Sequence, residues 1–225
     1  MQKKVQIVSD GSLDLPQEIT DAHDIEVVPF YVSFNGETYQ KEIEEIGIRE
    51  FYQEMVDHPD VFPKSSMPSV DDFYQTFVKS AKENIPVICI CITTKFSGSL
   101  QSATVAKEMV KDEYPEARIT VIDSTVNTVL QGLFVLEACR MRDMGLDYEE
   151  IIERILPIRE TGRIFFTIGS IDYLRHRKTC GDSSRCTGDK TDDHIERRGN
   201  LQFRTRKKPH QIYEKGCGDD KRLSG

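Results

Sequence analysis

The chain has 225 residues, 38% of them apolar and 30% charged, enough for one large domain or two smaller ones with a real core. A formal charge of −8 argues against nucleic acid as the main partner. No apolar run approaches the ~20 residues of a membrane helix, and "MQKKVQIVSDG" is too short in apolar residues for a signal peptide, so a cytoplasmic protein with no transmembrane segment is expected.

In chain order, residues 4–10 ("KVQIVSD") predict a short strand ending in polar residues, and Pro16 lies just inside the helix start in "LDLPQEITDAHD". "IEVVPFYVSFNGETY" alternates and turns at Asn35 and Gly36, the pattern of a hairpin or strand–turn–strand. "GIREFYQEMVDHPD" is a helix with Ile48, Phe51, Tyr52 and Met55 on one side, and it stops before Pro59. The next helix starts at Ser69, a natural N-cap. Asp71 and Asp72 suit its positive end, while Phe73, Phe77 and Ala81 recur at helical spacing.

"IPVICICITT" reads as a fully buried strand in which Cys89 and Cys91 share a face. With Cys139 in a helical pattern, these predict buried free thiols rather than a disulfide framework. A helix ("SLQSATVAKEMVKDEYP"), a strand ("ARITVIDS"), a helix ending at Gly145, a further helix ("DYEEIIERILPIRE") and a strand ("RIFFTIGS") follow. Strands that read as continuous apolar runs and alternate with helices predict an α/β fold with a parallel sheet. Ligands are expected at the carboxyl ends of its strands.

Polar clusters fall at those ends: "SDGSLDLP" (9–16), "KSSMPS" (64–69), "TTKFSGSLQS" (93–102) and "DSTVNT" (123–128). Each offers hydroxyls and backbone N–H groups at a helix start, a way to hold an anion without a formal positive charge, and Gly98 would let a backbone come close to a ligand. Taken singly, each is also an ordinary helix cap. A serine nucleophile at Ser97 is the alternative chemistry. It lacks the G-x-S-x-G frame, and His23 and His58 sit at helix ends without the context of a triad. There is no G-x-x-x-x-G-K phosphate loop. The late His176, Cys180, Cys186, His194 and Cys217 match no tight metal-ligand spacing, so no metal is expected.

Six ordered stretches, "SDGSLDLP", "VVPFYVSFNGETYQ", "PKSSMPSVDDFYQTF", "ITTKFSGSLQSA", "VIDSTVNTVLQG" and "IDYLR", resemble the DegV family of fatty-acid-binding proteins over about residues 4–175. The resemblance implies a two-domain α/β protein of the type called the EDD fold, with a three-layer first domain at 1–160. It implies a carrier and not an enzyme, with no cofactor, that binds one long-chain fatty acid and presents its carboxylate to a fatty-acid kinase. The family's Thr-Ser-Gln-Pro-Ser motif falls on Ser65, Ser66, Met67, Pro68 and Ser69, and its Ser-Gly-Thr on Ser97, Gly98 and Ser99. The carboxylate is therefore expected at Ser65, Ser66, Ser97, Gly98 and Ser99, with Ser9, Asp10, Asp123 and Ser124 as secondary candidates. Met67 loses the family's glutamine and Gly11 its usual hydroxyl. An α/β enzyme, hydrolase or kinase-like, built on the Ser97 loop, and a fragment without a ligand, are the competing readings.

From residue 176 the composition changes: 13 Lys and Arg stand against 8 Asp and Glu, where residues 1–175 carry 17 against 30, and only nine of the last fifty residues are apolar. Such a segment buries too little surface to offset its ordering entropy. Read one nucleotide later, the possible codons of residues 188–195 permit "GIKPMITL" and those beginning at Gln211 permit "RSMRKVVAMI", which restore strand and helix periods. The expectation is a frameshift near Arg175 and His176. Residues 161–175 would then begin a second domain left incomplete, residues 176–225 would be an out-of-frame, disordered tail, and lipid binding would be impaired.

Overall fold

Four strands, β1 (Gln6–Asp10), β2 (Ile25–Val28), β6 (Val87–Cys91) and β7 (Ile119–Asp123), form one parallel sheet in the order β2-β1-β6-β7. The computed structural model describes residues 5–165, together with 196–198 and 201–203. The two central strands are buried along their whole length; β6 accordingly reads as an unbroken apolar run, while β1 carries the buried polar residues Gln6, Ser9 and Asp10.

Successive side chains point to opposite faces, and each face is covered by helices. On one side Ile7, Ile88, Ile90 and Ile122 pack against α5 (Thr128–Asp143) and α6 (Tyr148–Ile158). On the other, Val8, Cys89 and Cys91 meet α3 (Val70–Lys82) and α4 (Ser99–Glu113) through Phe73, Phe77, Ala103 and Ala106. The three layers expected of the first domain are present. Cys89, Cys91 and Cys139 are buried free thiols.

Pro16 is the N-cap of α1 (Gln17–Ala22) and stands one position outside the helix, because its extended backbone precedes the first helical residue. The predicted strand–turn–strand divides its strands between two sheets. β2 joins the parallel sheet, and Pro29 and Phe30 then turn the chain into β3 (Tyr31–Ser33). That strand pairs antiparallel with β4 (Gln40–Lys41) and with β5 (Lys64–Ser66) in a second, three-stranded sheet. The helix α2 (Ile48–Asp57) follows β4 and has no buried residue; on its apolar side Ile48 is 52% and Tyr52 60% exposed, while Phe51 and Met55 are half-buried.

Ser69 caps α3 with a full capping box. Its Oγ accepts from Asp72 N at 3.1 Å, while Ser69 N donates to Asp72 Oδ2 at 2.8 Å. α6 carries the same device from Asp147 and Glu150. Of the predicted last strand, residues 163–165 have no regular structure and the rest lies outside the described residues. β8 (Glu196–Arg198) and β9 (Leu201–Phe203) pair antiparallel within the segment where no periodic pattern is expected. The remainder of the tail, with its histidines and cysteines, is likewise outside the described residues. No described helix is long and apolar enough to cross a membrane.

Candidate functional site

Strands of a parallel sheet all end at one edge, so the turns after β1, β6 and β7 gather there, and the second sheet brings β5 alongside. The contact that joins the two serine-rich motifs is made by Met67. A Cβ built on Gly98 would lie 2.8 Å from Met67 Sδ, so the loop after β5 rests directly on the start of α4. Gly98 has φ −83° and ψ 8°, which any residue adopts. A side chain there would have to displace the thioether above it, whereas the backbone conformation itself sets no demand for glycine.

Ser65 and Ser66 lie on β5, exposed, opposite Val32 and Tyr31 of β3. Ser97 is half-buried, and its Oγ accepts the Ser99 N–H at 3.2 Å. With its oxygen engaged from below, the Ser97 hydroxyl retains its hydrogen for donation to an anion. Ser99 is differently placed. It is fully buried, and its hydroxyl donates to Asp10 Oδ2 at 2.6 Å, so it faces the protein interior.

The secondary candidates are each engaged by partners within the protein. Ser9 Oγ, buried, donates to Ile90 O at 2.9 Å and accepts from Gln131 Nε2 at 3.1 Å. Asp10 is buried and receives Ser12 Oγ, Gln131 Nε2 at 2.8 Å, Ile92 N at 2.9 Å and Ser99 Oγ. Asp123 holds Thr125 N at 2.7 Å and Thr94 Oγ1 at 3.0 Å, and so ties the turns after β6 and β7 together. Ser124 is buried and donates to Val126 O at 2.9 Å. Gln131, on α5, has no place among the sequence-derived candidates; a buried glutamine in an otherwise apolar helical stripe was the available signal.

The second sheet is fixed by Asp72. Its carboxylate takes the Tyr31 hydroxyl at 2.9 Å and Lys41 Nζ at 2.9 Å in addition to the Ser69 cap. Burial acts upward on this group, yet the donors of Ser69, Lys41 and Tyr31 together hold it below the usual carboxylate range. The same contacts raise Lys41, chiefly through the bond to Asp72. β3, β4 and the loop bearing Ser65 to Ser69 are thereby anchored on α3.

Two apolar grooves flank the edge. One, of about 300 Å³, is lined by Val126, Leu130, Leu133, Phe134, Ile158 and Arg159. It begins beside the Ser97 loop, because Val126 O accepts the Thr93 N–H at 3.0 Å. The other, of about 390 Å³, runs under α2 past Leu13, Ile46 and Phe51 and carries Asp14 and Glu42, both raised by burial. Glu42 Oε1 accepts the Phe30 N–H at 3.1 Å and fills the space a side chain on Gly11 would need, since a Cβ there would lie 2.2 Å from it. The first groove sets the Arg159 guanidinium beside one carboxylate, Glu137, which is itself bonded to Arg140. Among the described residues no group of His, Cys, Asp and Glu has the arrangement of a metal site. His23 and His58 face Asp143 and Glu54.

A family described as "Uncharacterised protein, DegV family" matches residues 4–177, ending close to the change of composition near 176. In fold and sequence the chain is similar to a stearic-acid-binding protein of Eubacterium ventriosum: 43% identity, TM-score 0.74, 80% of this chain and 62% of that one. It is similar also to a fatty-acid-binding DegV family protein of Thermus thermophilus, at 28% identity and TM-score 0.65 over 77% of this chain and 59% of that one. A DegV domain-containing protein of Clostridium acetobutylicum is 37% identical over 188 residues, 76% of this chain and 65% of its own length. The chain thus spans less than two thirds of the length of these relatives.

Proposed function

The chain belongs to the DegV family, and from that premise we propose that it binds a long-chain fatty acid, holding the carboxylate at Ser65, Ser66, Ser97 and Gly98. The observation that carries this reading is the seat of Met67 on Gly98, which sets the two hydroxyl-bearing segments side by side at the carboxyl edge of the sheet. The acyl chain runs into the groove lined by Val126, Leu130 and Leu133. Each buried CH₂ contributes about 0.8 kcal/mol, and each charge-assisted hydrogen bond about 1.5–3 kcal/mol. The tail therefore sets the affinity and the hydroxyls set the orientation.

With its carboxylate at the protein edge, the bound acid is a substrate for a partner fatty-acid kinase. That enzyme moves the terminal phosphoryl group of ATP onto a carboxylate oxygen, giving an acyl phosphate and ADP; the chain itself carries out no chemistry and needs no cofactor. The free thiols Cys89, Cys91 and Cys139 support a reducing compartment, the cytoplasm.

Mass spectrometry of lipid extracted from the purified chain tests the binding. A co-purifying fatty acid, or saturable uptake of added stearate that weakens about ten- to hundredfold in Ser97→Ala, is expected. Absence of both overturns the reading.

A further inference from the structure

Asp10 makes an unusual set of contacts for a carboxylate beside an anion site. It is fully buried at the end of β1, where an unpaired charge is costly, and it is compensated by hydrogen-bond donors. One oxygen, Oδ1, takes Ser12 Oγ and Gln131 Nε2. The other, Oδ2, takes Ile92 N at 2.9 Å and Ser99 Oγ at 2.6 Å. Ile92 is the first residue beyond β6 and Ser99 the first residue of α4. A single oxygen atom therefore anchors both ends of loop 93–98, the segment that carries Ser97 and Gly98.

Consequences run inward from the two anchors. Phe96 N and Ser97 N both donate to Thr93 O, at 3.0 and 3.3 Å, and wind the loop into a turn. Ser99 N, held in place with its side chain, donates to Ser97 Oγ at 3.2 Å and so orients that hydroxyl. Gln131 stands behind the carboxylate from α5, and its Nε2 also reaches Ser9 Oγ. The ends of β1 and β6 and the first turns of α4 and α5 meet on this one group.

We propose that Asp10, backed by Gln131, is the positioning residue of the anion loop: it fixes where Ser97 and Gly98 stand and touches no ligand itself. The identity of the anion rests on the fatty-acid reading above; the anchoring of the loop does not. The requirement is for an oxygen accepting from two donors on the loop side. Asparagine meets it by turning its carbonyl to Ile92 and Ser99 and its amide to Gln131, whose own amide reverses to offer oxygen. Alanine does not.

Hydrogen exchange of the full chain, read at the amides of Ile92, Ser97 and Ser99, is the direct test. In Asp10→Ala these amides should exchange about ten- to hundredfold faster while those of the β6–β7 ladder hold their rates; in Asp10→Asn they should stay near the wild-type rates. Should Asp10→Ala fail to fold, Ser99→Ala cuts only the α4 anchor, and acceleration confined to Ser97 and Ser99 is expected. Unchanged rates in the alanine variants, or acceleration in Asp10→Asn equal to that in Asp10→Ala, overturn the proposal.

A second readout uses cis-parinaric acid, a fluorescent fatty acid. Its affinity should fall about tenfold in Asp10→Ala, stay near wild type in Asp10→Asn, and fall in the Asp10→Ala, Ser97→Ala double variant by clearly less than the product of the two single losses. Additive losses would mean that Asp10 acts elsewhere and would overturn the assignment. A wild-type chain that fails to bind the probe, with the exchange pattern as expected, overturns the fatty-acid reading and leaves the anchoring in place.

Discussion

Replacing Asp72 by alanine removes three supports at once. The capping box at Ser69 contributes about 1 kcal/mol, and the hydrogen bond from Tyr31 to a charged acceptor about 1.5–3 kcal/mol. The ion pair with Lys41 at 2.9 Å adds about 0.5–1 kcal/mol, since Lys41 is half-buried and its ammonium still meets solvent. Shared partners make these terms non-additive, and a loss of about 3 kcal/mol is expected. The folded-state acidity of Asp72 lies below its ordinary value, so this stabilisation is fully present above about pH 4, the unfolded value, and disappears as pH falls through the lower folded one. Urea unfolding of wild type and Asp72→Ala should thus differ by about 3 kcal/mol near neutral pH, with the gap closing in strong acid as the wild type loses its advantage. A deficit below about 1 kcal/mol at neutral pH, or one that keeps its size in acid, would refute the role given to Asp72.

Gly132→Ala should destabilise the chain by about 2–3 kcal/mol, because the added Cβ would lie 2.4 Å from the Leu13 carbonyl oxygen; Gly47→Ala, with open space around it, should cost only the lesser fitness of alanine as the N-cap of α2, below about 1 kcal/mol in the same thermal melt. Cys89, Cys91 and Cys139 should resist alkylation in the native chain and react on unfolding, as followed by peptide mass spectrometry. Burial pushes the Cys139 thiol up to about 11, and the bond to Cys89 together with burial raises Cys91. Rapid native labelling of any of the three would contradict the packing described. Sequencing the coding DNA from independent isolates should reveal a shifted frame near residue 175; an intact frame that spells residues 176–225 in all of them removes that proposal.

The anion site was only partly legible in the linear chain. Serines at helix starts announce themselves through spacing, and Ser69 reads as an N-cap from residue type and position alone, while its capping box with Asp72 is seen in the structure. The same spacing does not separate a hydroxyl that faces solvent from one that faces a buried carboxylate. Ser97 and Ser99 are two residues apart, yet one is half-buried at the edge and the other donates inward to Asp10. α2 teaches a related lesson. Its sequence has a clear apolar side, but periodicity says only that a helix has two faces and not that another element covers one of them.

The amino-acid order by itself determined the layered α/β architecture, because strands buried on both faces are apolar except where a polar side chain finds a hydrogen-bond partner, and their helices are apolar on one stripe. Val87–Cys91 and the Phe73 and Phe77 pair are direct expressions of that constraint. It also marked the sheet edge where polar residues collect. Tertiary structure alone decided which of those residues are partners. Gln131 lies 121 positions from Asp10, Ser99 lies 89 and Ile92 lies 82, and their donors converge on one carboxylate only after the strands are set side by side. Hydrogen bonding at such separations depends on distance in space, which no local pattern encodes.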